Sequence, residues 1–340
     1  MPTLEDDELV FRFPHIEPEA QFSIDIQRTL RIPDTDESYP LPPGLGSFPL
    51  LHVDDYADRL PTATVERGGV FLPIWQSEAL WLNFSNEGYR GELEFPVAIK
   101  VAAGKINAVT GESWTSGLQR NPQNYMVSPD QPWLDGFAVE KGIIRQFVAM
   151  PLGDGYSVEE QLTGRAEWGG LQIVVVPLKQ AVWQRIKDEW ANSVRIEESK
   201  AMLVEYSMAS MGLGAGGRMR QSIYPDPYRL SDWDLESSQR VFITLQHARD
   251  WENITGKVPP KKPPTAEDYN DAGLPWFQYY GNDQVALSGG KLFKGISSVA
   301  SIFKSKHSQQ MPNSGKISVS KIQPISSTAS KGRPIRTSDF

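Results

Sequence analysis

Hydrophobic and polar residues alternate over several short stretches of the chain, which is the pattern of β-strands with one buried face. An early strand begins at residue 22, and two hairpins are predicted over residues 97–109 and 137–150, each with a glycine at its turn. Further strand candidates are dense apolar runs at residues 70–74, 80–84, 171–176 and 241–245. The chain is therefore predicted to begin as β-structure and to keep adding strands as far as about residue 245.

Helical patterns are fewer and enter later. Ser157 and Glu160 match a capping box, in which two side chains satisfy free backbone amides at the start of a helix. Apolar residues at helical spacing then predict an amphipathic helix, and Thr265 begins another short helix after the proline-rich residues 259–264. Because strands and helices do not alternate regularly, we predict an α+β fold: a largely antiparallel sheet with a few packed helices, in a single large domain over residues 1–285.

The end of the chain has a different pattern. Apolar residues recur there at helical spacing, at Leu292, Phe293, Ile296, Val299, Ala300 and Phe303. They predict an amphipathic helix over residues 286–304, which docks on its own domain, on a protein partner through residues 291–303, or on an anionic membrane surface. Residues 305–340 are rich in serine, lysine, glutamine and proline, and they predict a disordered basic tail.

The body of the chain is acidic, whereas its end is basic. Of the net charge of −8, seven basic residues and one acid from Lys304 onward contribute +6, which leaves −14 on the rest. An acidic body repels nucleic acid, so none is expected as a partner. The longest purely apolar run, residues 173–178, is far shorter than the roughly 18 residues of a membrane span, so no transmembrane segment is expected. The acidic first residues lack the pattern of a secretory signal, and a cytoplasmic location is predicted.

Composition limits the metal chemistry. The chain has no cysteine, which excludes disulfides, thiolate metal sites and a cysteine nucleophile, and its four histidines form no pair at ligand spacing. Asp226, Asp232 and Asp234 are oxygen donors of the kind that a hard cation takes. However, Asp226 lies between two prolines, as turn residues do, and Asp234 has the position of a helix cap. No metal and no cofactor is therefore expected.

One glycine-rich segment is a candidate ligand site. Gly212, Gly214 and Gly217 have the spacing of a dinucleotide fingerprint, but the strand before it and the full helix after it are missing. A simpler hypothesis is a loop whose amides, together with Arg218 and Arg220, bind a phosphate or a carboxylate. The alternative is a structural loop that needs glycine for a tight turn.

Polar residues inside apolar stretches are the other candidates, because a buried charge needs a partner and functional sites supply one. Glu78, between two tryptophans, and Glu140 are candidate acid or base groups, and Lys100 lies within an apolar strand. The alternatives are that these side chains lie on a solvated face and that the tryptophans anchor the core.

Four stretches carry a resemblance to a known family: residues 39–46, 67–81, 138–147 and 212–221. On these stretches the chain resembles an uncharacterised family of soluble bacterial and fungal proteins. The similarity extends over roughly residues 22–299 and omits the tail. The resemblance implies no activity and no catalytic residue, because none is assigned in that family.

Two classes of function stay open at this point. The first is a non-catalytic binding or scaffold protein that acts through an aromatic cleft, the terminal helix or both. The second is an enzyme or sensor for an anionic small molecule bound at the segment from Gly212 to Gly217. The absence of a credible catalytic set favours the first class.

Overall fold

The protein is described by a computed structural model that covers residues 1–35, 37–89, 93–193, 212–280, 286–319 and 321–326. In chain order its strands are β1 (Thr3–Glu5), β2 (Glu8–Arg12), β3 (Gln21–Thr29), β4 (Ser38–Tyr39), β5 (Gly44–Ser47), β6 (Leu51–His52), β7 (Val70–Ile74), β8 (Ala79–Asn86), β9 (Gly88–Tyr89), β10 (Leu93–Glu94), β11 (Val97–Ala103), β12 (Ile106–Asn107), β13 (Met126–Ser128), β14 (Trp133–Leu134), β15 (Gly136–Glu140), β16 (Ile143–Met150), β17 (Leu171–Pro177), β18 (Gly212–Arg220), β19 (Gln239–His247), β20 (Trp276–Tyr280) and β21 (Ile322–Ser326).

The helices are short and lie between these strands. The α-helices are α1 (Thr62–Arg67), α2 (Val158–Thr163), α3 (Gln180–Ser193), α4 (Trp251–Thr255), α5 (Ala266–Asp271) and α6 (Val299–His307). The 3₁₀ helices are Val53–Tyr56, Leu230–Asp232 and Lys291–Gly295. Within the described ranges, none of the helices combines the length and the apolar character needed to cross a membrane.

Most of the strands belong to two sheets. The first sheet has ten strands in the order β1-β2-β3-β8-β16-β18-β4, with β5, β14 and β15 attached beside this path. The second has seven strands in the order β12-β11-β17-β19-β7-β6, with β13 attached to β11. Parallel pairing is confined to β4 with β18, β7 with β19 and β20 with β21 among the described strands. The predicted antiparallel character is therefore confirmed, whereas a single domain over residues 1–285 stays a prediction.

One hydrophobic core lies between the two sheets. It includes Ile24 and Leu82 of the first sheet together with Ile99, Ile173 and Ile243 of the second, all of them buried. Successive side chains of a strand point to opposite faces, so the residues between these positions lie on the outer faces of the sheets. Side chains of the second sheet that are not part of this core therefore lie on its outer face.

Several local predictions are confirmed by these elements. The hairpin around Gly104 and Lys105 is β11–β12, and both turn residues have positive φ, as two-residue hairpin turns of type I′ require. The second predicted hairpin is β15–β16. The capping box of Ser157 and Glu160 begins α2, and Thr265 caps α5 in the same way.

The prediction of a glycine loop at Gly212 is wrong, because this segment is strand β18. Its backbone pairs with β16 in the first sheet, with Gly212 opposite Met150 and Gly214 opposite Val148. A methyl group at Gly214 would lie 2.5 Å from Cγ2 of Val299, the first residue of α6. These glycines therefore give neighbouring elements room to approach the sheet, which a side chain would prevent.

The predicted helix over residues 286–304 is instead two separate elements, the 3₁₀ helix Lys291–Gly295 and α6. Phe293 is buried in the core between the sheets, and Val299 is buried in a cluster with residues of the first sheet. In the structure this segment therefore docks on the protein itself, which is one of the three alternatives. The leucine beside them, Leu292, is half exposed.

The predicted boundary of the disordered tail at residue 305 is too early. Helix α6 continues to His307, Met311 is buried, and β21 pairs with β20 in parallel. Arg31 donates hydrogen bonds to the side chain of Ser314, at 3.1 Å, and to the carbonyl of Pro312. Residues 327–340 of the predicted tail lie outside the described residues.

The contact between Gly214 and Val299 gives a prediction about the docking of α6. We expect Gly214→Ala alone to lower the free energy of unfolding by about 1–3 kcal/mol, because the added methyl group overpacks the contact. In the double variant with Val299→Ala, we expect a smaller loss than the sum of the two single losses. Denaturant unfolding of the four proteins measures this coupling. Strictly additive losses would contradict the contact.

Candidate functional site

A groove of about 1140 Å³ runs along the outer face of the second sheet. Its floor comes from β11, β17 and β19, in which Lys100 pairs with Val174 and Val174 pairs with Arg240. The next row along the strands contains Gln172 opposite Phe242. Because directly paired residues point to the same face of a sheet, Lys100 and Arg240 flank an apolar strip from opposite sides.

The groove gathers four cationic side chains. They are Arg67 at the end of α1, Lys100, Lys105 at the tight turn, and Arg240. None of the four forms an ion pair with a carboxylate within the part of the chain that the structure describes. Burial, followed by the charges of Arg240 and Arg67, lowers the pKa of Lys105. Arg240 and Arg67 are therefore close enough to Lys105 to repel its charge.

Arg67 lies against aromatic rings at one end of the groove. Its guanidinium carbon is 5.4 Å from the centroid of the Trp168 ring and 5.5 Å from that of Phe242. It also donates hydrogen bonds to the backbone carbonyls of Trp168, at 3.0 Å, and of Glu167. Its position is thus fixed by rings and carbonyls and not by a counter-charge.

Lys100 is buried in the floor of the groove, with 2% of its surface exposed. Its ammonium group donates to the carbonyls of Thr115, at 2.5 Å, and Gly117, at 2.9 Å, and lies 4.6 Å from the ring centroid of Trp114. Burial lowers the pKa of Lys100 to about 8, and the nearby Glu112 opposes this effect. The sequence favoured a solvated face for this lysine; a loop covers it instead.

Lys105 lies near two indole rings. Its Nζ atom is 4.6 Å from the ring centroid of Trp168 and 5.8 Å from that of Trp114. Its backbone N–H donates to Oε1 of Gln172 at 2.6 Å, which anchors the turn to β17. The ammonium group itself has no hydrogen-bond acceptor among the described residues.

The loop that carries Trp168 is held in place by a buried carboxylate. Glu159, in the first turn of α2, accepts hydrogen bonds from the backbone amides of Glu167, Trp168 and Gly169 at 2.8–2.9 Å. Helix α2 begins at the capping box of Ser157, which the sequence predicts. The wall of the groove that contains Trp168 thus depends on the N-terminus of α2, which a local sequence signal predicts.

No family model, curated protein or solved structure matches the chain. The resemblance to an uncharacterised bacterial and fungal family therefore stays a prediction.

The glycine segment and its arginines lie elsewhere, on the first sheet. The amides of Gly212 and Gly214 belong to a strand that pairs with β16, so the loop that was to present them to an anion does not form. A methyl group at Gly217 would lie 2.4 Å from the carbonyl oxygen of Pro33. Two of the predicted site residues do meet, because Arg218 forms an ion pair of 3.0 Å with Glu140. Arg220 is exposed.

Glu78 is buried beneath the proline-rich segment of residues 259–264. Its Oε1 is 2.6 Å from Nε of Arg28, and its Oε2 accepts from the backbone amide of Trp75 at 3.0 Å. Arg28 and Trp75 also donate to backbone carbonyls of the proline-rich segment, those of Lys261 at 2.6 Å and Pro260 at 2.8 Å. Burial raises the pKa of Glu78 to about 7, and the Arg28 cation opposes this rise. Neither Glu78 nor Glu140 lines the groove.

The three aspartates that are candidate cation ligands each accept hydrogen bonds from different groups of the protein. Asp226 accepts from the hydroxyl of Tyr125, at 2.5 Å, and from the indole N–H of Trp233, at 3.0 Å. Asp232 accepts from the amide of Arg229, whereas Asp234 accepts from the side chain of a serine. No group of three or more acidic or histidine residues is arranged to hold a metal ion in the described ranges.

Sequence reasoning selected only one residue of the groove for its chemistry, Lys100. In the sequence, Lys105 has the position of a turn residue, and Arg67 belongs to one of the stretches that carry the resemblance. Two features of the sequence could have indicated the groove. Lys100 lies within an apolar strand, and Trp114 follows it as a large aromatic residue outside any predicted strand. The meeting of these residues with Arg240 depends on strand pairing across more than a hundred residues.

The buried Glu78 predicts a specific dependence of stability on pH. Its pKa rises from 4.5 to about 7 on folding, so the native state keeps a proton that the unfolded chain has already released in this window. This contribution to stability is present below pH 4.5 and is lost as the pH rises through 7. At about 1.4 kcal/mol per pKa unit, the loss amounts to about 3 kcal/mol.

Chemical unfolding at a series of pH values from about 4.5 to 8 measures this effect. In Glu78→Gln, which cannot ionise, we expect the fall in the free energy of unfolding to be smaller than in the wild type by that amount. Glu236→Gln, at an exposed position, is the matched control and should follow the wild type. If Glu78→Gln also follows the wild type, Glu78 does not titrate in this window.

Proposed function

We propose that this protein binds an anionic small molecule with a planar ring in the groove on its second sheet, and that it acts as a binding protein. The observation that carries the proposal is the gathering of four cations without an ion-pair partner among the described residues. The proposal keeps the aromatic cleft of the first function class and the anionic ligand of the second. It moves the ligand away from the glycine segment.

The cations favour an anion because their mutual repulsion falls when a negative charge enters. A charge-assisted hydrogen bond to such a group contributes about 1.5–3 kcal/mol. Arg240 is exposed at the groove, and its side chain has no hydrogen bond among the described residues, so it is available to a ligand. On a body with a charge of −14, a local cluster of this sign focuses the field toward the groove.

The rings favour a planar ligand. Trp114, Trp168 and Phe242 line the groove, and Trp168 keeps 38% of its surface exposed. Aromatic side chains bind planar groups by stacking, and they supply the apolar part of small-molecule sites. At about 1140 Å³, the groove has room for a ligand of nucleotide size.

A binding role is favoured over catalysis because the candidate acid and base groups lie away from the groove. Glu78 is paired with Arg28 beneath the proline-rich segment, and Glu140 is paired with Arg218. The terminal segment is not part of the proposal, because Phe293 and Val299 are packed inside the protein.

Calorimetric titration with adenosine monophosphate, inorganic phosphate and adenosine tests the proposal. We expect the monophosphate to bind more tightly than either fragment, and its affinity to fall with added salt because the interaction is ionic. In Arg240→Gln, we expect the Kd for the monophosphate to rise about tenfold, which corresponds to about 1.4 kcal/mol.

Arg249→Gln is the matched control, since Arg249 is an exposed arginine outside the groove. Its Kd should equal that of the wild type. Equal binding of adenosine and its monophosphate, or equal effects of the two substitutions, would contradict an anion site at this groove.

A further inference from the structure

Lys105 differs chemically from the other three cations of the groove. Arg67 donates to two backbone carbonyls, and its guanidinium group does not lose its proton in proteins. Lys100 is a lysine, but two carbonyls occupy its ammonium group. Arg240 is exposed but has the same chemistry as Arg67. Lys105 is therefore the one amine of this cluster whose nitrogen has no acceptor among the described residues.

We infer that Lys105 captures the carbonyl group of an anionic, planar aldehyde or ketone as a reversible imine, with the two indoles beside it and the arginines of the groove holding the ligand. This inference rests on the proposed function, because the anionic ligand has to enter the groove first. It adds a covalent step and names the reacting atom, Nζ of Lys105.

The reaction requires a lysine that is neutral for part of the time. Burial, with the charges of Arg240 and Arg67, lowers the pKa of Lys105, and a lysine beside other cations is a known form of activated amine nucleophile. Two carboxylates also face this region, because Glu66 lines the groove and Glu112 acts on Lys100. Neither forms an ion pair with Lys105.

The step balances without a further reactant. The lone pair of the neutral Nζ forms a bond to the carbonyl carbon, and the π electrons of the carbonyl group move to its oxygen, which takes up a proton. The proton that the oxygen takes up is one of the two amine protons, so the resulting carbinolamine loses its hydroxyl group and the remaining amine proton as one molecule of water. A C=N double bond replaces the C=O double bond, and nothing is oxidised or reduced.

The position of the amine suits this step. Nζ lies within 6 Å of the ring centroids of both Trp168 and Trp114, so a planar carbonyl compound stacked on one indole brings its carbonyl carbon toward the nitrogen. The hydrogen bond from the backbone of Lys105 to Gln172 and the positive φ values of the turn fix the start of the side chain. Such positioning lowers the entropy cost of the encounter.

The experiment uses the full chain and two probes that differ at one group. Pyridoxal 5′-phosphate carries the aldehyde, and pyridoxine 5′-phosphate carries an alcohol in its place. Borohydride reduces an imine formed by the first probe to a stable secondary amine, and peptide mass spectrometry then locates the modified lysine. Calorimetry measures the binding of the second probe without covalent chemistry.

We expect saturable trapping on Lys105, its suppression by excess pyridoxine 5′-phosphate, and its loss in Lys105→Arg, which keeps the charge. Lys257→Arg, at an exposed position outside the groove, should leave trapping unchanged. The trapping site in the wild type is informative even if Lys105→Arg folds poorly. Binding of the alcohol without trapping on Lys105 would overturn this inference and leave the proposed function standing; absence of binding by both probes would overturn both.

Discussion

The alternation of side chains along β11 and β17 is the constraint on which the rest of this structure depends. Ile99 and Ile173 face the first sheet and form the core, so the residues next to them have to point outward. One of these is Lys100, which the core cannot accept as a charge. Once the two sheets pack together, the charged side chains of these strands therefore lie on the outer face of the second sheet.

That outer face combines features that stability alone does not favour. Arg67 and Arg240 repel the charge of Lys105, and Lys100 is buried with carbonyls in place of a counter-ion. Arg28 has Glu78 beside it and Arg145 has Asp34, whereas Arg31, like Arg67, donates to a backbone carbonyl. The four cations of the groove, which have no ion pair among the described residues, are the observation on which the proposed function rests.

The first sheet contains the glycine-rich segment, which packs against a helix. Strand β18 of this sheet is rich in glycine, and α6 approaches the strand closely at Gly214. The same residues that suggest a ligand loop in the sequence are therefore a packing surface in the fold. Glycine permits tight turns and close backbone approach alike, so its presence alone does not separate the two cases.

The sequence by itself determined the elements whose signals are local. The β11–β12 turn at Gly104, the capping box of Ser157 and the strands of the two predicted hairpins all depend on neighbours within a few residues. Only the tertiary structure decided which of these elements line the groove. Arg67, Lys105 and Arg240 meet because β19 pairs with β17 and β7, and register between distant strands depends on packing and loop closure, which leave no local pattern. The same reason explains why the candidates at Glu78, Glu140 and Gly212 did not converge.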